Sequence, residues 1–215
     1  CFVFEAAGSN LELVTSRKGV GRYIIKIDGK ASHAGTSYEK GINANLEGAH
    51  KLIEYSNLIN LEKGTIVNVG KLDGGIGINT VSPHCEMLME FRFDTKDEQN
   101  RVMQSVKDIT KKSFIKGTKA HADGIIQRVV MEENEKQFTL IKFFEKLTKQ
   151  KISTEHRGGV SDANIVSSVG VTTLDGFGPY GDGDHTLKER ALKSSFEQRI
   201  NMMTTILEYF QNNKF

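Results

Sequence analysis

The chemistry-bearing residues of this sequence crowd into the stretch from Arg157 to Glu189. It reads Arg-Gly-Gly-Val-Ser-Asp-Ala-Asn, then a short apolar run, then Leu-Asp-Gly-Phe-Gly-Pro-Tyr-Gly-Asp-Gly-Asp-His-Thr-Leu-Lys-Glu. Glycine permits close backbone approach and positive φ at an entropic cost. A chain that accepts this cost twice, beside polar residues, is shaping a site. His185 closes the second loop with Asp182, Asp184 and Glu189 near it in sequence, a setting in which an imidazole can bind a metal while a carboxylate orients it. The same residues also read as a surface loop with an exposed histidine, and spacing alone leaves both readings open.

Composition narrows the classes. The 215 residues are enough for one large domain or two small ones. A hydrophobic fraction of 38% and a charged fraction of 26% suit a soluble globular protein. The net charge of +2 gives no strong attraction to nucleic acid or anionic membrane, and no apolar run approaches a membrane span, so neither is expected as a partner. Two cysteines, Cys1 and Cys85, make a disulfide framework improbable and fit a reducing, cytoplasmic compartment. A metal would need His, Asp and Glu ligands. The chain opens on Cys1-Phe2-Val3-Phe4 rather than on Met, and a buried strand at the first residue leads to the expectation that this is the later part of a longer protein.

The elements that must carry these residues follow from periodicity. Residues 1–5 read as a short buried strand and Leu11 to Thr15 as another. Gly21 to Asp28 alternates around Tyr23, Ile25 and Ile27 as a half-buried strand. Ile42, Leu46, Ala49, Leu52 and Ile53 recur at helical spacing, which predicts a helix over Gly41 to Leu58 with that stripe against its sheet. Strands are expected at Thr65 to Lys71 and at His84 to Phe93, where Cys85, Met87, Met89 and Phe91 share a face. Asp94 is read as the cap of a helix reaching about Phe114, and Ala120 to Val130 as a last strand. Residues 20–130 thus spell β-α-β-β-α-β, the split βαβ arrangement of one sheet under two helices. Beyond them come a helix from Phe138 to Lys149, strands at Lys151 to Thr154 and Val171 to Leu174, a helix capped by Ser161 or Asp162, and a closing helix from Phe196 to Gln211. The reading is α/β: a two-layer, ferredoxin-like lid over 19–128, inserted between residues 1–18 and 129–215 of a partial three-layer catalytic domain.

One ordered set of short motifs runs through the chain. It comprises Phe4-Glu5, Thr15-Ser16-Arg17-Lys18-Gly19, Gly29-Lys30-Ala31-Ser32-His33-Ala34-Gly35, Asn68-Val69-Gly70, Asn79-Thr80-Val81-Ser82-Pro83, Phe91-Arg92-Phe93-Asp94, Gly158-Gly159-Val160-Ser161-Asp162-Ala163 and Gly183-Asp184-His185. The set resembles the two-zinc exopeptidases and amidohydrolases that include carboxypeptidase G, acetylornithine deacetylase and peptidase T, and is most similar to the glutamate carboxypeptidases.

That resemblance implies a zinc-bearing catalytic domain interrupted by a lid that pairs subunits into a homodimer. Glu5 and His185 match one ligand each of the two zinc ions. The family's early His, bridging Asp and adjacent Glu-Glu pair have no counterpart here, so the resemblance implies weak or absent metal binding by the isolated chain and no activity of its own. Cobalt or manganese would serve the same donors. His33 matches the lid histidine that reaches the partner's active site and steadies the oxyanion. Asn79 and Arg92 match lid residues that hold substrate, with Arg128 a further arginine for a carboxylate, since a guanidinium grips one through two parallel hydrogen bonds. Gly158, Gly159 and Ser161 match a substrate loop whose N–H groups, at a helix start, favour a carboxylate; Val160 stands where a third glycine is common. The implied reaction is hydrolysis of an amide next to a free carboxylate in a peptide or N-acyl amino acid. An N-acyl amino acid deacylase, a tripeptidase, or a non-catalytic dimerisation module are the alternatives.

Overall fold

The structure, a computed structural model, describes residues 1–213. In chain order its elements are β1 (Leu13–Arg17), β2 (Gly19–Asp28), α1 (Ala44–Ser56), β3 (Ile66–Gly74), β4 (His84–Phe93), α2 (Lys96–Lys111), β5 (Lys119–Arg128), α3 (Glu135–Thr148), β6 (Thr154–Arg157), α4 (Asp162–Ser168), β7 (Gly181–Asp182), β8 (Arg190–Ala191) and α5 (Lys193–Asn212). The chain divides into two compact units. One is Gly19–Arg128; the other is Cys1–Lys18 with the chain from Val129 onward. Among the described residues no helix is long and apolar enough to cross a membrane.

The Gly19–Arg128 unit is a four-stranded antiparallel sheet in the order β3-β4-β2-β5, with α1 and α2 side by side on one face. The alternation of β4 is realised residue for residue: Cys85, Met87, Met89, Phe91 and Phe93 point into the core. Tyr23, Ile25 and Ile27 do the same from β2. Gly19 and Gly21 face Phe93 and Phe91 across the ladder, and a methyl group at either would sit 2.2 Å from the opposing ring. Those two glycines let the rings lie flat on the neighbouring strand. The cap of α2 is Thr95, whose side chain accepts from the Glu98 amide; Asp94 was the expected cap and stands one residue too early.

Helix α1 departs from its sequence reading. Leu46 and Ile53 of the expected stripe are 44% and 58% exposed, and the buried residues are Ala44, Glu47, Gly48, Lys51 and Tyr55. Lys51 is sealed inside, donating to the carbonyls of Ile109, Thr110 and Lys112 at 2.6, 3.2 and 2.5 Å and pairing with Glu47 at 3.0 Å. The other Glu47 oxygen accepts the amides of Phe114 and Ile115. The pair thus satisfies the C-terminal carbonyls of α2 and the loop beyond it, groups a helix end otherwise leaves open. Burial pulls the Lys51 ammonium below its ordinary pKa, against the opposing pull of Glu47.

The other unit is built on Leu13, Ile141, Phe144, Leu174, Phe177, Met202, Met203 and Ile206, where α3 and α5 pack together. Its regular sheet is smaller than the periodicity suggests. β1 pairs in parallel with β6, which lies at Thr154–Arg157 rather than at Lys151 to Thr154. The expected strands at 1–5 and Val171 to Leu174 reduce to single bridges, Phe2 with Leu174 and Asp175 with Val14. Only Phe2 of the opening run enters the core, ringed by Phe144, Phe177 and Phe210, while Phe4 is 61% exposed. Arg199 of α5 is buried among backbone carbonyls. It donates to the carbonyls of Leu11, Glu12, Gly176 and Gly178, and burial lowers its pKa to about 10.

Replacing Lys51 with Met leaves Glu47 charged and buried without its partner, so urea unfolding is expected to show a loss of about 3–5 kcal/mol. Glu98 contributes to the pH dependence. The hydrogen bond from Arg101 holds its carboxyl below the usual range, with Thr65 adding a second bond and desolvation opposing. A lowered carboxyl pKa stabilises the fold above the unfolded value of roughly 4.3, and this is lost as the pH falls through the lowered one. Acid unfolding curves for Glu98→Gln are expected to be flatter than the parent's over that interval.

Candidate functional site

The glycine loop is formed where β6 ends. Gly158, Gly159 and Val160 are exposed and lead into Ser161, the cap of α4. The Ser161 hydroxyl accepts the Ala163 amide at 3.1 Å and donates to Asp175 Oδ2 at 2.6 Å; the Ser161 amide donates to Asn164 Oδ1 at 3.0 Å. The expectation that this helix start would offer N–H groups and a serine to a carboxylate needs correction. α4 has only seven residues, and its own capping box occupies the Ser161 and Ala163 amides and the serine hydroxyl. Gly158 and Gly159 precede this cap and are exposed. A methyl group added to either would meet nothing nearer than 4.0 Å, so packing within this chain does not demand glycine there.

Beneath the loop lies a buried ion pair. Arg17 Nε donates to Asp175 Oδ2 at 2.7 Å, with side chains 5% and 0% exposed. Arg17 Nη1 continues to the Gly159 carbonyl at 3.0 Å. Asp175 Oδ1 accepts the amides of Gly176 at 2.6 Å and Glu5 at 3.3 Å. Asn164, fully buried, donates to the carbonyls of Lys18 and Val129, the residues at which the chain leaves and re-enters this unit. Ser16 Oγ bonds His156 Nδ1, and Thr15 bonds Glu133.

Glu5 and His185 are both exposed. The Glu5 carbonyl accepts from Gly178, and Ala7 bridges Tyr180, so the segments carrying the two residues run side by side for a short distance. His185 sits in the turn between β7 and β8 with φ 63°, an uncommon conformation for a side-chain-bearing residue. Asp182, expected beside the imidazole, is instead held by Arg190 in a two-bond ion pair at 2.7 and 3.0 Å. Among the described residues no three His, Cys, Asp or Glu side chains gather closely enough to hold a metal. Glu5 and His185 are single donors, and the residues present do not make a zinc site by themselves.

In the Gly19–Arg128 unit the candidate residues fall into two groups. His33 bridges Thr80, and the Ala34 amide donates to the Asn79 carbonyl at 2.8 Å, so His33 and Asn79 lie together beyond the Asp28 end of β2. His33 Nδ1 accepts the Gly35 amide. Arg92 and Arg128 lie at the other end, both opposite Val20, one on each neighbouring strand. Eight residues of strand separate Val20 from Asp28, about 26 Å at the usual rise. Arg92 is paired with Glu90 at 2.9 Å, which also binds Arg22; Arg128 Nη1 donates to the Gln127 carbonyl.

A family model described as a peptidase dimerisation domain matches residues 15–122. The chain belongs to that family of exopeptidases and amidohydrolases. Enzymes of the family are metal-dependent. The chain is 30% identical over 128 residues to a p-aminobenzoyl-glutamate hydrolase homolog of Haemophilus influenzae, covering 59% of this chain and 30% of the relative. It is 24% identical over 185 residues to the uncharacterised protein YqjE of Bacillus subtilis, covering 85% and 49%. Among solved structures, a tripeptidase of Staphylococcus aureus superposes with a TM-score of 0.82 at 19% identity, over 99% of this chain and 57% of that one. The aminopeptidase PepT of Bacillus cereus gives 0.77 at 18%, over 96% and 56%. The chain therefore spans half or less of the curated relatives it matches, and its mixed α/β fold with a four-stranded antiparallel sheet is the fold of the peptidase structures.

Arg17, Asp175 and Asn164 are functional candidates that the sequence does not single out. The one signal that points to Asp175 is a lone acid directly after an apolar run, where burial requires a cation. Calorimetric titration of the isolated chain with zinc is expected to show weak binding with no tight two-ion step, since no three candidate ligands gather among the described residues.

Proposed function

We propose that this chain is the lid and C-terminal portion of a metal-dependent hydrolase that cleaves an amide next to a free carboxylate, of the carboxypeptidase G type. The family membership supports hydrolysis, and the name of the Haemophilus relative carries an amide whose glutamyl part has free carboxylates. Zinc is the ion the resemblance implies, with Glu5 and His185 contributing one ligand each to a shell this chain does not complete. The positive φ of His185 supports its reading, because strained side-chain-bearing positions gather at functional sites. The isolated chain is inactive on this reading, and the two free cysteines favour a cytoplasmic setting.

The observation that carries the reading is the separation within the sheet unit. His33 and Asn79 stand about 26 Å of strand away from Arg92 and Arg128. One copy of the sheet cannot bring both groups to a single small substrate. Two copies can, if one supplies an arginine for the substrate carboxylate and the other supplies His33 to donate a hydrogen bond to the carbonyl oxygen as it becomes an oxyanion. A homodimer through the sheet unit follows. Its contact face would be the exposed stripe of α1, Leu46 and Ile53, continued by Leu61 and by Ile66 on the edge strand β3.

In the whole protein, His33→Ala is expected to lower kcat for a dipeptide or N-acyl amino acid by about 10²–10³, the loss seen when one oxyanion donor is removed. Mixing that variant with Arg92→Ala is expected to restore part of the activity through mixed dimers. A His33→Ala enzyme with full kcat, or no recovery on mixing two stable inactive variants, overturns the shared site.

A further inference from the structure

We propose that the Gly19–Arg128 unit carries a site for inorganic hydrogenphosphate between α1, the C-terminal end of α2 and the start of β5. A cavity of about 240 Å³ lies there, walled by Glu47, Lys111, Lys112, Ser113, Thr118 and Lys119 among others. None of the residues assigned above to hydrolysis lines it, so the site is independent of that reading. A count of hydrogens leaves one oxygen over. An ammonium has three N–H donors, and Lys51 directs its three at the carbonyls of Ile109, Thr110 and Lys112. Glu47 Oε2 accepts the Phe114 and Ile115 amides at 2.8 and 2.6 Å. Glu47 Oε1 stands 3.0 Å from Lys51 Nζ, near enough for charge attraction, yet this buried oxygen accepts no hydrogen bond. Leaving a buried acceptor without a donor is costly, and the side chain that bears it is 1% exposed on the cavity wall.

The rest of the wall has the opposite charge. Lys111, Lys112 and Lys119 are all exposed, and Lys112 Nζ stands 4.4 Å over the ring of Phe114, whose amide Glu47 holds. Carbonyls at a helix C-terminus repel anions, but here Lys51 already meets those of Ile109 and Thr110. The hydroxyls of Ser113 and Thr118 both donate to the Ile115 carbonyl at 2.8 Å and lie 2.9 Å apart. One hydrogen serves that carbonyl, so the other hydroxyl is able to turn toward an anion. The fitting ligand therefore has anionic oxygens for the lysines and a hydroxyl, and one O–H for Glu47 Oε1. Sulfate has no such hydrogen. A phosphate monoester loses its own above a pKa of about 6, whereas inorganic phosphate keeps one in mildly alkaline solution.

Calorimetric titration of the whole protein with sodium phosphate, sodium sulfate and methyl phosphate at about pH 8 tests the site. Phosphate is expected to bind at millimolar concentration or below, and about tenfold more tightly than either of the other two, the worth of one hydrogen bond to a charged acceptor. Replacing the exposed pair together, Lys111→Ala with Lys119→Ala, is expected to weaken this phosphate-selective step about tenfold with the melting temperature unchanged. Glu47→Gln is expected to abolish the preference for phosphate over sulfate; where that buried substitution fails to fold, the lysine pair and the three-anion comparison still decide. Absence of phosphate binding, sulfate or methyl phosphate binding as tightly as phosphate, selectivity that survives in a folded Glu47→Gln, or phosphate affinity unchanged by loss of the two lysines would overturn the proposal.

Discussion

A guanidinium and a carboxylate sealed away from water are each too costly to keep alone, and the pairing of Arg17 with Asp175 is the constraint around which the smaller-sheeted unit is arranged. Their separation along the sequence is 158 residues, so the contact ties the end of β1 to the turn after Leu174. The turn in turn holds the opening segment through the Glu5 amide and the start of α4 through Ser161. Arg199 reinforces the arrangement from α5 by collecting carbonyls of Leu11, Glu12, Gly176 and Gly178. Regular pairing is sparse among the described residues here: two two-stranded sheets, β1-β6 and β7-β8, and a few bridges. Side-chain hydrogen bonds to buried charges replace the ladder that a larger sheet would have provided.

The Gly19–Arg128 unit works by the opposite economy. Its geometry follows largely from backbone register, with β2 in the middle of the sheet, paired to β4 without interruption and to β5 with one shift between Val20 and Gly21. Once the pairing is set, Arg92 and Arg128 must flank Val20, and the loops bearing His33 and Asn79 must leave from the far end. No flexible side chain can undo a separation of about eight strand residues. The sheet acts as a ruler, and the division of candidate groups between its ends is a property of topology rather than of any one contact.

Much of this was legible beforehand, where one physical rule acted alone. The strict alternation in β4 and the capping of α4 by Ser161 depend on local geometry, and the structure keeps them. The layering of one sheet under two helices followed from β-α-β-β-α-β, because short connections leave few alternatives. Reading failed where a distant partner decided the outcome. The run Val171 to Leu174 has strand composition but finds only one bridge at Leu174. The opening run has apolar residues on both faces, yet only Phe2 meets a core. Asp175 looks like a turn residue before glycine, and nothing local tells that Arg17 reaches it. Ser161, expected at a substrate loop, is committed to its own helix cap and to Asp175.

Helix α1 carries a lesson for reading variation in this chain. Its inward face bears Glu47, Lys51 and Tyr55, and its outward face bears Leu46 and Ile53. At Leu46, Glu47, Lys51 and Ile53 hydropathy and burial run in opposite directions. Any scale that infers tolerance from side-chain polarity will rank its positions upside down, treating the sealed lysine as replaceable and the bare leucine as indispensable. Related sequences would then drift in an unusual way: charge retained with the constancy of a core residue at two sites four apart, while the aliphatic sites change only as fast as whatever covers them.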